Sequence, residues 1–338
     1  MTVCVITTGG TITSHWDGAG WSNIGGQALI DEIAAGGLAA DVRVVDVAAG
    51  PSSGLGLAHM FDIAGRIAHE LGVPTPRAGG AAPDARGVVV VHGTDTMELS
   101  AFAAQLVLGT DAARPAVAFT GSMRVHSHAD PDGPRNVRDA VAVVASPHAA
   151  GHGVMVCMEG ALHAADRVRK ADATSLDAFT SAPFGPVGMV EHGRVSMTSP
   201  GVPRRALGRI DTSRLVPVPL VTCVPGIEAA DIERAIGSSP AAVVEGFGDL
   251  NLPPAAWGPV HDAASRGCVV VVASSAYTPS TSTDTLDALG ALGAGGLSAQ
   301  RARLAAAAAL AAGLDRAGIA ALLGDYSLHR DAGDRSTI

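Results

Sequence analysis

Lysine is almost missing from this 338-residue chain: of its 23 basic residues, all but Lys170 are arginines. Arginine replaces lysine freely on a solvated surface, but not where a compact ammonium or a titratable amine is required. Lys170, in Arg167-Val168-Arg169-Lys170-Ala171-Asp172, is therefore either a chance survivor of an arginine bias or the mark of a site that guanidinium does not serve. Aromatic residues are scarce at 3%, and charged residues amount to 16% with a net charge of −9. With no basic block and no stripe of arginine interleaved with aromatics, that balance excludes a nucleic-acid partner. No apolar run approaches the roughly 20 residues that span a bilayer, so no membrane role is expected. The four cysteines, Cys4, Cys157, Cys223 and Cys268, stand singly in apolar, strand-like runs without metal-type spacing. They read as small core residues. The first residues lack a basic leader and a signal-type core, and the expected compartment is the cytoplasm.

What is present points to an α/β chain of two domains, because the length exceeds a usual domain of roughly 100–200 residues. A hydrophobic content of 47% is ample for real cores. Short β-branched runs at Val3–Thr8, Val42–Val47, Val88–His92, Ala116–Thr120 and Val154–Met158 alternate with helical stretches at Gln27–Ala35, Met60–Leu71, Glu98–Leu108 and Asn136–Ala145. Apolar strands separated by helices predict a mostly parallel sheet flanked by helices. Residues 1–189 are assigned to this larger N-terminal domain, and a Gly/Pro/Arg-rich linker is expected over 190–214. A smaller C-terminal α/β domain is expected over 215–338, where the alternation resumes. Ligands of such sheets bind at the carboxyl ends of the strands, which is where the polar motifs fall.

The first motif is Thr7-Thr8-Gly9-Gly10-Thr11-Ile12, directly after the first strand. It is either a plain tight turn or a turn that presents the Thr11 hydroxyl as a nucleophile. The phosphate-loop pattern is absent. The second is His92-Gly93-Thr94-Asp95-Thr96-Met97-Glu98, after a buried strand. One reading is helix capping, with Thr94 or Asp95 as N-cap and Glu98 as its capping-box partner. The other is a binding site at a helix N-terminus, and the two are compatible. The third is the lone lysine in Arg169-Lys170-Ala171-Asp172.

Together with Thr120-Gly121-Ser122-Met123-Arg124 and Asp132-Gly133-Pro134-x-Asn136, these motifs occur in the order seen in bacterial-type L-asparaginases, and the chain resembles that family over nearly its whole length. The resemblance implies cofactor-free hydrolysis of L-asparagine to L-aspartate and ammonia; the alternatives are a glutaminase-leaning amidase that takes L-glutamine, or a catalytically weakened amino-acid-binding relative. By the same resemblance Thr11 is the loop threonine that attacks the amide, and the alternative, in which Thr94 activates a water for direct attack, stays open at the level of sequence. Thr94, Lys170 and Asp95 form a second group, in which Lys170 acidifies Thr94 and Asp95 anchors the substrate amino group. Ser52 and Ser53 grip its carboxylate, and the main-chain carbonyl around Ser122 accepts from the leaving amide. Asn251 is lent to a neighbouring subunit, so a homodimer or homotetramer is expected. The chemistry is coherent on its own terms, since amide hydrolysis needs a nucleophile, a proton acceptor and donors aimed at the developing oxyanion. An arginine at 170 would be bulkier and would not deprotonate.

Two departures and one potentially misleading constellation stand out. Similar enzymes carry a tyrosine on the loop after the first threonine; here the only tyrosines are Tyr277 and Tyr326, and the loop offers His15, Trp16 and Trp21. The acidic residue that some relatives send across the interface is not evident, and Asp284 and Asp287 are loose substitutes. Finally, His126-Ser127-His128-Ala129-Asp130-Pro131-Asp132 has the look of a metal ligand set. In the family this segment is a surface loop, and no metal is expected.

Overall fold

Strand β1 (Thr2–Thr7) is buried from Val3 onward, as an unbroken apolar run requires when helices cover both faces of a sheet. A turn leads into the antiparallel hairpin of β2 (Ser14–Trp16) and β3 (Trp21–Asn23). There follow α1 (Gly26–Ala34), β4 (Asp41–Asp46), α2 (Leu57–Glu70), β5 (Val88–Val91), α3 (Met97–Leu108), β6 (Val117–Thr120), α4 (Gly133–Ala145) and β7 (Val154–Met158). The computed structural model describes residues 2–47, 50–73, 85–111, 114–276 and 284–327. The stretch Gly79–Pro83 and Tyr277 lie outside these residues, as does the side chain of Asp284.

Five strands run parallel in the order β7-β6-β5-β1-β4. The chain steps one way from β1 to β4, then crosses back to add β5, β6 and β7 on the other side. The winding therefore reverses between β1 and β5, and an open crevice forms outside their carboxyl ends. Alternate residues sort to opposite faces. Val3, Val5, Val89 and Val91 join Leu29 and Ile33 of α1 and Val137 and Val141 of α4 in one core cluster. Cys4 faces Glu70 at the end of α2, and burial together with that carboxylate pushes its thiol up to about 11. All four cysteines are buried and free.

Beyond β7 the chain turns antiparallel. The strands β8 (Ala161–Ala164), β11 (Gly188–Glu191) and β12 (Arg194–Met197) extend the sheet to eight, while β9 (Arg169–Lys170) and β10 (Phe179–Thr180) form a separate two-stranded ribbon. Residues 190–197, placed in the linker by composition, thus belong to the sheet. The alternation of β11, buried at Gly188 and Val190 and exposed at Met189 and Glu191, is that of a half-covered edge, and four residues of it are outweighed by the Gly/Pro/Arg-rich stretch that follows.

The chain divides into two compact units, Met1–Arg209 and Ile210–Ile338. The second holds β13 (Leu220–Thr222), α5 (Ala229–Ile236), β14 (Ala241–Gly246), α6 (Pro254–Ser265), β15 (Val269–Ser274), α7 (Asp284–Ala288), β16 (Leu292–Gly293), α8 (Ala299–Ala311) and α9 (Arg316–Gly324). Its four strands are parallel in sequence order. Ala305 to Ala309 of α8 are all fully buried, since small side chains let a helix lie close against a sheet. Among the described residues no helix is long and apolar enough to cross a membrane.

Candidate active site

The crevice between β1 and β5 is built on two glycines. Gly10 has φ 102°, and a Cβ on it would lie 2.7 Å from the Cα of Gly93. Only a glycine adopts that conformation and tolerates that approach. The loop after β1 therefore touches the loop after β5 at Gly10 and Gly93, the residues directly before Thr11 and Thr94. A Cβ on Gly93 would in turn meet the Ser52 Oγ at 2.7 Å, so the turn after β4 closes on the same spot. Thr96 fastens it by donating from Oγ1 to the Ser52 carbonyl at 2.9 Å.

Lys170 reaches this crevice from β9. Its ammonium donates to Thr94 Oγ1 at 2.9 Å and to Asp95 Oδ1 at 2.8 Å. Thr94 is buried, the lysine side chain is 18% exposed and that of Asp95 is 60% exposed, so the carboxylate faces outward from the group. Thr11 opens a short 3₁₀ turn, is half-buried, and its hydroxyl makes no hydrogen bond to the described residues. Ser52 is buried with its hydroxyl likewise uncommitted, whereas Ser53 is exposed.

Helix capping does not account for the second motif. The N-cap of α3 is Thr96, without a side-chain cap, and neither Thr94 nor Asp95 fills that place. Glu98 instead accepts from the backbone amide of Lys170 at 2.7 Å, a contact over 72 residues of sequence that sets the lysine strand against the helix. The Asp-Gly-Pro-x-Asn motif acts at the third loop. The Asp132 carboxylate accepts from the Ser122 hydroxyl at 2.6 Å and from the amides of Met123 and Arg124, each at 2.9 Å. Asn136, four residues on and fully buried, donates to Asp132 and to the Gly121 carbonyl at 3.0 Å. The i, i+4 spacing of these two was visible in the sequence; Glu98 offered no signal beyond its place in a capping pattern.

His92, directly after β5, is fully buried. Desolvation pushes it down to about 4, so it is neutral, and its Nδ1–H donates to the Gly93 carbonyl at 2.7 Å. That bond fixes the peptide between the crevice glycine and Thr94. Asn251 belongs to the second unit, at the end of a turn in which Asp249 and Leu250 have φ near 59° and 58°; its amide donates to the Gly248 carbonyl at 3.2 Å. Trp21 does not pack on the sheet. It is 65% exposed and meets Trp16 across the hairpin, with ring centroids 5.3 Å apart.

Residues 2–202 match the family model described as "Asparaginase, N-terminal", and residues 217–323 that of the "Glutaminase/Asparaginase C-terminal domain". The chain belongs to the asparaginase family. It is 30% identical over 203 residues to L-asparaginase 2 of Escherichia coli (strain K12), covering 59% of this chain and 58% of that protein. A glutaminase-asparaginase of Acinetobacter glutaminasificans is 42% identical over 112 residues, 33% of each chain. These curated relatives are thus matched over less than two thirds of their length. The crystal structure of a probable cytoplasmic L-asparaginase from Campylobacter jejuni matches with a TM-score of 0.80 at 26% identity, over 95% of this chain and 98% of that one. The two threonine loops and the lysine ribbon all lie within the N-terminal asparaginase match.

Proposed function

We propose that this chain hydrolyses the side-chain amide of L-asparagine, giving L-aspartate and ammonia. The observation that carries the reading is the sole lysine of the chain, whose ammonium bonds both Thr94 and Asp95 in the crevice. Positive charge at Thr94 Oγ1 stabilises the negative charge that develops there as its proton leaves. Asp95, held by the same ammonium, keeps an exposed face for the substrate amino group. Thr11, with its hydroxyl uncommitted, attacks the amide carbon; the C–N bond breaks, the nitrogen leaves as ammonia, and water hydrolyses the resulting ester. Ser52 and Ser53 receive the substrate carboxylate, and the main-chain carbonyl at Ser122 accepts from the amide nitrogen.

Asn251 completes the site of a neighbouring subunit in a homodimer or homotetramer. The cytoplasm is the compartment we assign, in keeping with the Campylobacter jejuni structure. Ammonia release by the purified protein tests the reading: turnover of L-asparagine above that of L-glutamine is expected. A preference for glutamine would favour the second reading, which the Acinetobacter relative supports. Binding of L-aspartate without ammonia release from either amide would overturn both.

A further inference from the structure

Two histidines that the proposed reaction does not use meet beside the first loop. His15 is the middle residue of β2 and His126 stands in the loop after β6; their ring centroids are 6.0 Å apart and tilted by 45°. The two segments are strapped together on either side of the pair. The His126 amide donates to the Ser14 carbonyl at 2.9 Å, and the Trp16 amide donates to the Ser127 hydroxyl at 2.9 Å.

The tautomer of His126 follows from its surroundings. Its Nε2 lies 3.2 Å from the carboxylate of Glu32 on α1, which only accepts, so in the neutral ring the proton sits on Nε2 and Nδ1 is a bare acceptor. That Nδ1 is buried without a hydrogen-bond partner, and so is Nδ1 of His15. Buried polar atoms are ordinarily paired, and two orphaned imidazole nitrogens in one cluster point to one shared partner.

We propose that His15 and His126 hold a single divalent transition-metal cation of the zinc, copper and nickel group between their Nδ1 atoms, with Glu32 keeping His126 in the ligating tautomer. Imidazole suits these metals. A ligating histidine that donates its other N–H to a carboxylate is the usual supporting arrangement. With metal–nitrogen bonds of about 2.0–2.1 Å, two rings on one ion have centroids about 5–6.5 Å apart, and the observed pair falls in that span. The neighbours leave the other coordination positions to water. Asp17, which faces His15, is committed to the Ala19 and Gly20 amides at 2.8 Å each. His128 is exposed, and its Nδ1 accepts from the Asp130 amide at 3.0 Å. No group of three or more His, Cys, Asp or Glu able to hold a metal occurs among the described residues, so the two imidazoles are the only protein ligands proposed. The ion's effect is mechanical: it fastens the hairpin that follows Thr11 to the loop that follows Ser122.

The test needs no substrate and stands apart from the asparaginase reading. Zinc chloride titrated calorimetrically into the metal-stripped full chain is expected to saturate at one ion per chain. His15→Gln and His126→Gln each weaken binding at least about tenfold, Glu32→Gln weakens it about 10–100-fold, and His128→Gln leaves it unchanged. X-ray absorption of the zinc-loaded wild-type protein, which does not depend on any variant folding, is expected to show two imidazole nitrogens. No saturable binding, binding that survives His15→Gln, binding lost in His128→Gln, or a zinc shell with fewer than two imidazoles would overturn the proposal.

Discussion

At the scale of single residues, charge alone does not account for Lys170. A guanidinium would keep the positive charge but present a planar fork where one nitrogen now serves two acceptors. Lys170→Arg is therefore expected to fold normally and to lower kcat for L-asparagine by a factor on the order of 10²–10⁴, the range for losing a group that assists proton transfer. A variant retaining more than about half of wild-type turnover would remove the lysine from the mechanism. Two buried histidines set a second expectation. Burial pushes both His92 and His163 down to about 4. Between their unfolded value of about 6.5 and that folded value, the unfolded chain binds a proton that the folded chain refuses. The stability associated with their neutral state is complete above about pH 6.5, falls with the pH, and is fully lost near pH 4, at about 3 kcal/mol for each histidine. Urea midpoints from pH 7 to pH 4 check this, and His163→Gln should flatten the decline if its charging is the cause.

At the scale of elements, the ribbon of β9 and β10 holds the lysine in place. Its backbone is set against α3 by a part-buried contact in which the Lys170 amide donates to the Glu98 carboxylate. Glu98→Gln keeps an acceptor in that place, whereas Glu98→Ala removes it. The alanine variant is expected to lose about ten- to a hundredfold in kcat with KM nearly unchanged, and the glutamine variant to recover most of that loss, because a misplacement near 1 Å costs about that much. Steady-state kinetics of the two decide it. The hairpin of β2 and β3 supplies the other expectation. No tyrosine stands on it, and the exposed indoles of Trp16 and Trp21 form its only aromatic pair. An indole donates but does not accept, so Trp21 can cover bound substrate without relaying a proton. Trp21→Ala should raise KM more than it lowers kcat, and Trp21→Phe should retain most activity; a Trp21→Ala enzyme with unchanged KM and kcat would end the idea of a lid.

At the scale of the whole molecule, each unit has its own sheet and its own core, and the residue expected to act in trans lies in the second. Two successive non-glycine residues with positive φ hold the turn before Asn251, a strained arrangement of the kind found at functional sites. If Asn251 serves a neighbouring subunit, the contacts are isologous and the smallest active species is a symmetric dimer. Light scattering at assay concentration should find a dimer or tetramer. A fully active monomer would refute the trans role.

How much of this was legible follows the range of the interactions. Hydrophobic alternation is local, so the five parallel strands and the helices between them stood in the sequence within a few residues of their observed bounds. So did the motifs at their carboxyl ends, since β-strand and helix signals place those loops without any knowledge of packing. The antiparallel edge did not show, because four-residue strands such as β11 and β12 carry too little pattern to outweigh the glycine and proline around them. Capping was a fair reading of the Glu98 spacing, yet the carboxylate serves a strand 72 residues away, and no local rule reports a contact of that range. The same holds for His126. Spacing pairs it with His128, two residues on, whereas folding pairs it with His15 from the other side of the crevice. By itself the sequence determined which groups are candidates for the chemistry and which strand ends they occupy, because both depend on residue type and local period. The tertiary structure decided which of them meet, because the contact between Gly10 and Gly93 and the reach of Lys170 arise only when strands distant in the chain lie side by side.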